Sequence, residues 1–486
     1  GRSLLTRLVA LRPRFLPKVK VKGRKINKRV VVRAKNPKSQ KVTVQKVVLS
    51  LQQIKRIYRA DTTRKVNAKK AIRKDDITMG DALAQAGYTT GYWGKWGYGG
   101  SRDMQNPTID NVQTLPTSHG YKFVVAELHH VRAHTFFQPT LWNAPSKRRL
   151  ARGLELKANS MVKYRNQKSY SNYPASQNHP DYPKVAYCDD VYAFACLDFV
   201  RNQALEYNRS GKPFFGLFAA QIPHAPFAEV QKLPNWDHDY KDKSFFQKLS
   251  PQSRQWCAMV TRIDAHFGNI LKALEDPNGD GDKSDSVADN TLVIFSADNG
   301  PETHAFERLE KFDQWSSGKY RGLKRDIYEG GHRVPFIVRW PARVKAGTSC
   351  DDPTCLTDLL ATMAEILSQK LPADAGEDSV SMLPNLVGEP KQPVREAIVH
   401  HSINGTFAIR QGKWKLIDAP HSGGWSRPKP AQKALYKDLP KIQLYDLKKD
   451  PAESRNVSVE NPSIVKKLKT LLEKYREDGR SAPIAR

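Results

Sequence analysis

The sequence predicts an α/β fold followed by a smaller second domain, and three observations carry that prediction. The apolar run Thr291-Leu292-Val293-Ile294-Phe295-Ser296 is rich in β-formers and reads as a buried strand. It ends in Ala297-Asp298-Asn299-Gly300-Pro301, a turn that leaves a carboxylate and an amide oxygen at the strand's C-terminal end. That edge is where open α/β sheets bind ligands. Residues 213–220 repeat the pattern, an apolar strand running into Gln221-Ile222-Pro223-His224-Ala225-Pro226. Beyond a polar linker (about 369–395), short strands over 397–401, 406–410, 414–417 and 444–447 and a closing helix compose the smaller domain.

At 486 residues the chain has room for two or more domains. Its net charge of +31 is unevenly spread: residues 1–74 hold 25 of the 80 Lys and Arg beside one acid, Asp61. The remainder is mildly basic and globular in composition. No apolar stretch reaches the roughly 18 residues of a membrane span. No signal-peptide pattern is present, and the chain opens on Gly rather than Met, so it reads as beginning inside a longer protein. Five cysteines (188, 196, 257, 350, 355) show no metal-type spacing. Cys350 and Cys355 are near in sequence, which alone does not pair them.

In chain order, residues 7–74 alternate Val with Lys and Arg, as in Lys18-Val19-Lys20-Val21-Lys22 and Lys41-Val42-Thr43-Val44. They read either as cationic-faced strands or as a disordered arm whose like charges repel. The functional reading is contact with a polyanion. The only aromatics are Phe15 and Tyr58, which argues against a single-strand nucleic-acid surface. Residues 77–86 read as an amphipathic helix stopped by Gly87. A strand over 88–93 leads into Gly94-Lys95-Trp96-Gly97-Tyr98, where a lysine in a glycine-rich loop suits an anion.

His129, His130 and His134 lie among Phe136, Phe137 and Trp142 and line either a cleft or the core. Residues 145–185 read as loop, 192–207 and 253–274 as helices. His224, pinned between two prolines, suits acid work near neutral pH. Asp276-Pro277-Asn278-Gly279-Asp280-Gly281-Asp282 resembles the start of an EF-hand loop, but its twelfth position is Val287, so it reads as a solvated acidic turn. A loop with His304 follows the Asp298 turn, then Gly322-Leu323-Lys324, a strand over 334–340 and a helix over 354–367. Asn461-Pro462 opens a helix with Ile464, Val465, Leu468, Leu471, Leu472 and Tyr475 on one face.

Two lysines, a histidine and a hard-cation half-site at one sheet edge suit hydrolysis of a phosphate or sulfate ester. At these residues the chain resembles the sulfatase family, arylsulfatase-type, of the alkaline-phosphatase-like superfamily. Ala86-Gly87-Tyr88 with Gly94-Lys95-Trp96, Ile222-Pro223-His224-Ala225-Pro226 and Ser296-Ala297-Asp298-Asn299-Gly300-Pro301 are similar to its motifs. So are Gly322-Leu323-Lys324 with Tyr328-Glu329-Gly330-Gly331-His332-Arg333-Val334-Pro335, and Leu444-Tyr445-Asp446-Leu447 with Asp450, Pro451 and Glu453. The resemblance covers about residues 75–460, and 130–142 and 400–417 resemble the arylsulfatase branch.

The resemblance implies a large mixed-sheet α/β sandwich domain with a smaller C-terminal domain of antiparallel sheet plus helix. Its divisions here are a basic N-terminal segment (1–74), a catalytic domain (75–380) and a C-terminal α+β subdomain (381–486). It implies a formylglycine nucleophile and a Ca²⁺ ion, with Mg²⁺ as the alternative. It assigns Asp298 and Asn299 to the metal, Lys95 and Lys324 to the sulfate, and His224 to the acid or a sulfate contact. The implied substrate is a sulfated small molecule or glycan, and the implied location periplasmic or secreted.

The chain departs from the family in three places. None of the five cysteines begins the nucleophile motif, but Gly1-Arg2-Ser3-Leu4-Leu5-Thr6 resembles its tail, which puts the nucleophile three residues before Gly1 and makes Arg2 the motif's arginine. An N-terminally truncated, inactive chain is the expectation. From Arg7 the basic segment does not resemble sulfatase, and Gly97 stands where the family often has His. His134 and His304 are the candidates for that missing role. The alternatives are a phosphate or phosphonate ester hydrolase on the same fold, or a non-catalytic polyanion-binding protein.

Overall fold

The computed structural model describes residues 28–35, 42–49, 72, 76–98, 115–129, 132–146, 153–164, 184–225, 242–388 and 392–483. The chain divides into two compact units, Gly1–Ile72 and Arg73–Arg486. In the first, β1 (Lys28–Lys35) pairs antiparallel with β2 (Val42–Leu49), Lys28 opposite Leu49. Arg2, the motif remnant at 1–6 and the Lys18–Lys22 alternation lie outside the described residues.

The second unit opens with α1 (Met79–Gln85), started by a capping box in which Thr78 and Asp81 satisfy each other's amides. Such a cap contributes about 1 kcal/mol. Strands β3 (Thr89–Lys95), β4 (Phe123–Glu127), β5 (Thr140–Ala144) and β6 (Glu155–Ala158) follow, then α2 (Cys188–Ser210) and β7 (Phe214–Ala219). They form one sheet in the order β6-β5-β4-β3-β7. β3 is parallel to β4 and β7, while β5 is antiparallel to β4 and β6, so the sheet is mixed. Helix α2 packs on it through Phe194, Leu197 and Phe199, with the Phe199 ring 4.9 Å from Trp93 of β3. The strand β6 falls where the sequence reads as loop; Glu-Leu-Lys-Ala carries almost no apolar signal, and its ladder to β5 makes it a strand.

Beyond α3 (Pro251–Glu275) lies β8 (Val293–Ser296), then α4 (His304–Phe312), the single-turn α5 (Glu329–His332), β9 (Phe336–Arg339) and α6 (Asp358–Ile366). The expectation of a buried strand at 291–296 is corrected here: every residue of β8 is only half-buried. Among the described residues β8 pairs with β9 alone, in a separate two-stranded sheet. One face still packs on α3, where Phe295 meets Phe267 at 5.1 Å. Asp276 spends its carboxylate on the amides of Gly279 and Gly281, as in a solvated acidic turn.

The C-terminal part is a four-stranded antiparallel sheet, β10 (Ile398–His401), β11 (Phe407–Gln411), β12 (Trp414–Ile417) and β13 (Gln443–Asp446), in sequence order. Helix α7 (Pro462–Asp478) covers it, burying Leu468, Leu472 and Tyr475 against Ile409, Leu416 and Leu444. Each leucine so buried contributes about 1.5–3 kcal/mol. All five cysteines are free, Cys350 and Cys355 included. No helix among the described residues is long and apolar enough to cross a membrane.

Candidate active site

β3 and β7 run parallel, so the residues at their C-terminal ends open the same edge of the sheet. Lys95 closes β3, and the turn 221–225 follows β7. Four sequence-predicted side chains meet there in a row. Lys95 Nζ lies 3.5 Å from His134 Nε2, the His134 and His224 rings stack at 4.1 Å with planes 10° apart, and Lys324 Nζ lies 3.2 Å from His224 Nε2.

The His224 backbone amide donates to the Gln221 carbonyl at 3.1 Å, closing the turn. Its ring Nδ1–H donates to the Ala225 carbonyl, which leaves the lone pair on Nε2 facing the Lys324 ammonium. Burial, and then the charges of Lys324 and Lys95, hold its pKa below the usual 6.5, against the Ala225 carbonyl and the Asp298 carboxylate. His134 rides on a short 3₁₀ turn whose Arg132 is held 3.3 Å from buried Glu127. Glu127 is the register partner of Lys95, so one strand pair carries both ends of that arm.

Asp298 and Asn299 follow β8. Their turn sits flush on α5, because the Gly300 amide donates to Gly331 at 3.0 Å and a Cβ on Gly300 would fall 1.8 Å from the Gly330 carbonyl oxygen. The Lys324 amide donates to the Pro301 carbonyl at 2.8 Å, which ties the second lysine to the same turn. Asn299 Nδ2 donates to the Gly300 carbonyl at 2.9 Å and so directs its amide oxygen away from the backbone. With the exposed Asp298 carboxylate it offers two hard oxygens. That donor chemistry fits Ca²⁺ or Mg²⁺ but fills only part of the roughly six to eight positions of Ca²⁺.

His304 opens α4, its amide bonded to Glu302. Gly97 has φ +68°, a left-handed conformation that disfavours a histidine at that position. His134, not a residue at 97, is the imidazole beside Lys95.

Three participants carry no local sequence signal. Tyr98 reaches the site, where the partial burial of its ring and then the Asp298 charge raise its phenol pKa. Asp326 organises the Lys324 loop, accepting from the Leu323, Trp425 and Ser426 amides at 2.8, 2.6 and 3.0 Å. Lys415, fully buried, lies 3.0 Å from Glu329 and 2.9 Å from Glu453. Their partners are up to two hundred residues away, beyond any spacing rule.

Glu329, His332 and His400 bring one ligand atom each within 4.8 Å of one another. The Lys415 ammonium already sits 3.4 Å from His332 Nε2, and Arg333 and Arg410 lie 3.3 and 3.4 Å from Glu329. Three cations round one carboxylate make this an ion-pair cluster rather than a second metal site. A hollow of about 240 Å³ lined by Thr89, Lys122 and Phe123 opens at the opposite, N-terminal end of β3.

The profile of the family described as Sulfatase matches residues 49–368. An N-acetylgalactosamine-6-O-sulfatase of Bacteroides thetaiotaomicron is 30% identical over 442 residues, 82% of this chain and 77% of that one. Human arylsulfatase A is 29% identical over 57% of this chain and 51% of its own. A solved structure from a study of glycosaminoglycan metabolism by Bacteroides thetaiotaomicron superposes with TM-score 0.57 at 26% identity, over 84% of this chain and 83% of that one.

Proposed function

The chain belongs to the sulfatase family, and from that premise we propose that the row Lys95–His134–His224–Lys324 is the seat of a sulfate ester on a sugar. The convergence of two lysines and two stacked imidazoles beside Asp298 carries the reading. The relatives add the substrate class, since one is an N-acetylgalactosamine-6-O-sulfatase.

In this reading Lys95 and Lys324 each hold a sulfate oxygen and neutralise charge as the ester breaks. His224, once protonated at Nε2, gives that proton to the leaving sugar oxygen. The Lys324 ammonium beside Nε2 makes the imidazolium a stronger acid, and the ester's own negative charge favours its protonation. His134 keeps Lys95 and His224 in register and stands in for a histidine at 97. Asp298 and Asn299 would hold a Ca²⁺-type cation, which when bound would draw charge from a sulfate oxygen. A formylglycine, as the family resemblance implies, would supply the nucleophile. A periplasmic or secreted location accompanies the reading.

The test is sulfate release from N-acetylgalactosamine 6-sulfate, followed by ion chromatography, in a protein carrying the nucleophile motif ahead of Gly1. The expected result is turnover that falls by roughly a hundredfold or more in K324A. Faster release of phosphate from the matching phosphate ester would replace the reading with a phosphoesterase, and no release of either would overturn it.

A further inference from the structure

His224 stands on a turn of only a few residues, and something outside the turn must hold it. The geometry points to Asp189 as the positioning residue of His224, an inference that rests on the reading of His224 as a substrate-contacting group. Asp189 is the second residue of α2, and its carboxylate is fully buried. Its Oδ1 accepts from the Gln221 amide at 2.8 Å and the Ile222 amide at 3.4 Å. The Gln221 carbonyl in turn accepts from the His224 amide, and His224 Nε2 meets Lys324. Three contacts therefore lead from α2 to His224 in the anion row.

The helix end that bears Asp189 is itself fixed. Its neighbour Asp190 takes Arg262 of α3 in a two-pronged pair at 2.9 and 2.7 Å, so α2 and α3 are clamped where the turn is held. A second contact runs from the Gln221 side-chain amide to the Tyr192 hydroxyl at 3.2 Å, also on α2. Gln221 and Ile222 are buried, so water does not replace the acceptor if Asp189 is shortened. The turn then takes another course, and Nε2 leaves its place beside Lys324. Asp189 Oδ2 has no hydrogen-bond partner among the described residues, and burial raises the carboxyl's pKa to about 7. A group kept at that cost in the core, aimed at two turn amides, is placed for what the turn carries.

The experiment is calorimetric binding of inorganic sulfate to the full chain and to D189N, D189A and L197A, the last a core variant remote from the turn. D189N keeps an Oδ1 acceptor and is expected to bind within about twofold of the parent, while D189A loses roughly tenfold. L197A lowers the melting temperature but keeps the parent affinity. Parent-like binding by D189A, an equal loss in D189N, or a matching loss in L197A would overturn the proposal. Should D189A fail to fold, hydrogen exchange of the Gln221 and Ile222 amides in D189N decides. Protected amides with parent affinity support the proposal, and protected amides with weakened sulfate binding oppose it. If the parent chain binds no sulfate, the site reading fails, and exchange at the two amides still reports separately whether Asp189 holds the turn.

Discussion

His134 and His224 stack at 4.1 Å with their planes 10° apart, and a lysine stands at each end of the pair. Two stacked imidazoles between two ammonium groups form a cationic slot. The predictions below follow from that slot and from the contacts that build it.

Sulfate binding is expected to take up a proton. In the free protein burial, Lys324 and Lys95 lower the His224 pKa, while Asp298 opposes them and His134 faces the ring. A bound anion raises it, so affinity grows as pH falls below about 6.5, by at most about tenfold per pH unit. Calorimetry in EDTA, repeated in two buffers of different ionisation heat, measures the uptake. H224N is expected to abolish it.

Asp298 is expected to govern the response to calcium. Addition of Ca²⁺ at about a hundred times its Kd stabilises a binding protein by about 2.7 kcal/mol. The parent chain is expected to melt higher in Ca²⁺ than in EDTA, and D298A to melt equally in both. An equal rise in D298A would place the ion elsewhere.

Removing Lys415 leaves Glu329 and Glu453 buried together without their shared cation. Although burial alone would raise it, the carboxyl of Glu329 is now held down to about 2 by Lys415, His332 and Arg410. K415M is expected to cost about 3–5 kcal/mol in urea unfolding. Chelators are expected to leave the parent's unfolding midpoint unchanged through this cluster, because Lys415 fills it.

Acid destabilises the fold through His266. Burial lowers its pKa to about 3, chiefly against the pull of Asp190. The unfolded state therefore binds more protons below about 6.5, and stability falls with decreasing pH by up to roughly 1.4 kcal/mol per unit. Asp189, raised to about 7, acts in the opposite sense between its usual 3.8 and 7. Between about pH 5 and 7, His266→Asn is expected to shift the slope of urea-unfolding stability on pH by up to roughly 1.4 kcal/mol per unit toward the Asp189 sense, in which stability rises as pH falls.

Three of the site residues legible in the sequence end or follow strands. Lys95, His224 and Asp298 each follow an apolar run, and chain turns after such runs open on the ligand edge. The α7 face was legible for a similar reason, since its apolar spacing is helical and its buried residues follow it. Asp189, Asp326 and Lys415 were not legible, because their roles depend on partners 32, 100 and 86 residues away. The half-burial of β8 was equally hidden: an apolar run reports what a strand is made of, not which neighbours cover it.

The most direct test of the anion slot is an NMR titration of the chain, labelled at histidine, with N-acetylgalactosamine 6-sulfate and with the unsulfated sugar. The account predicts that the His134 and His224 ring signals move together with the sulfated sugar only, and that K95A and K324A suppress the movement. Equal movement with the unsulfated sugar, or none with either, would contradict it.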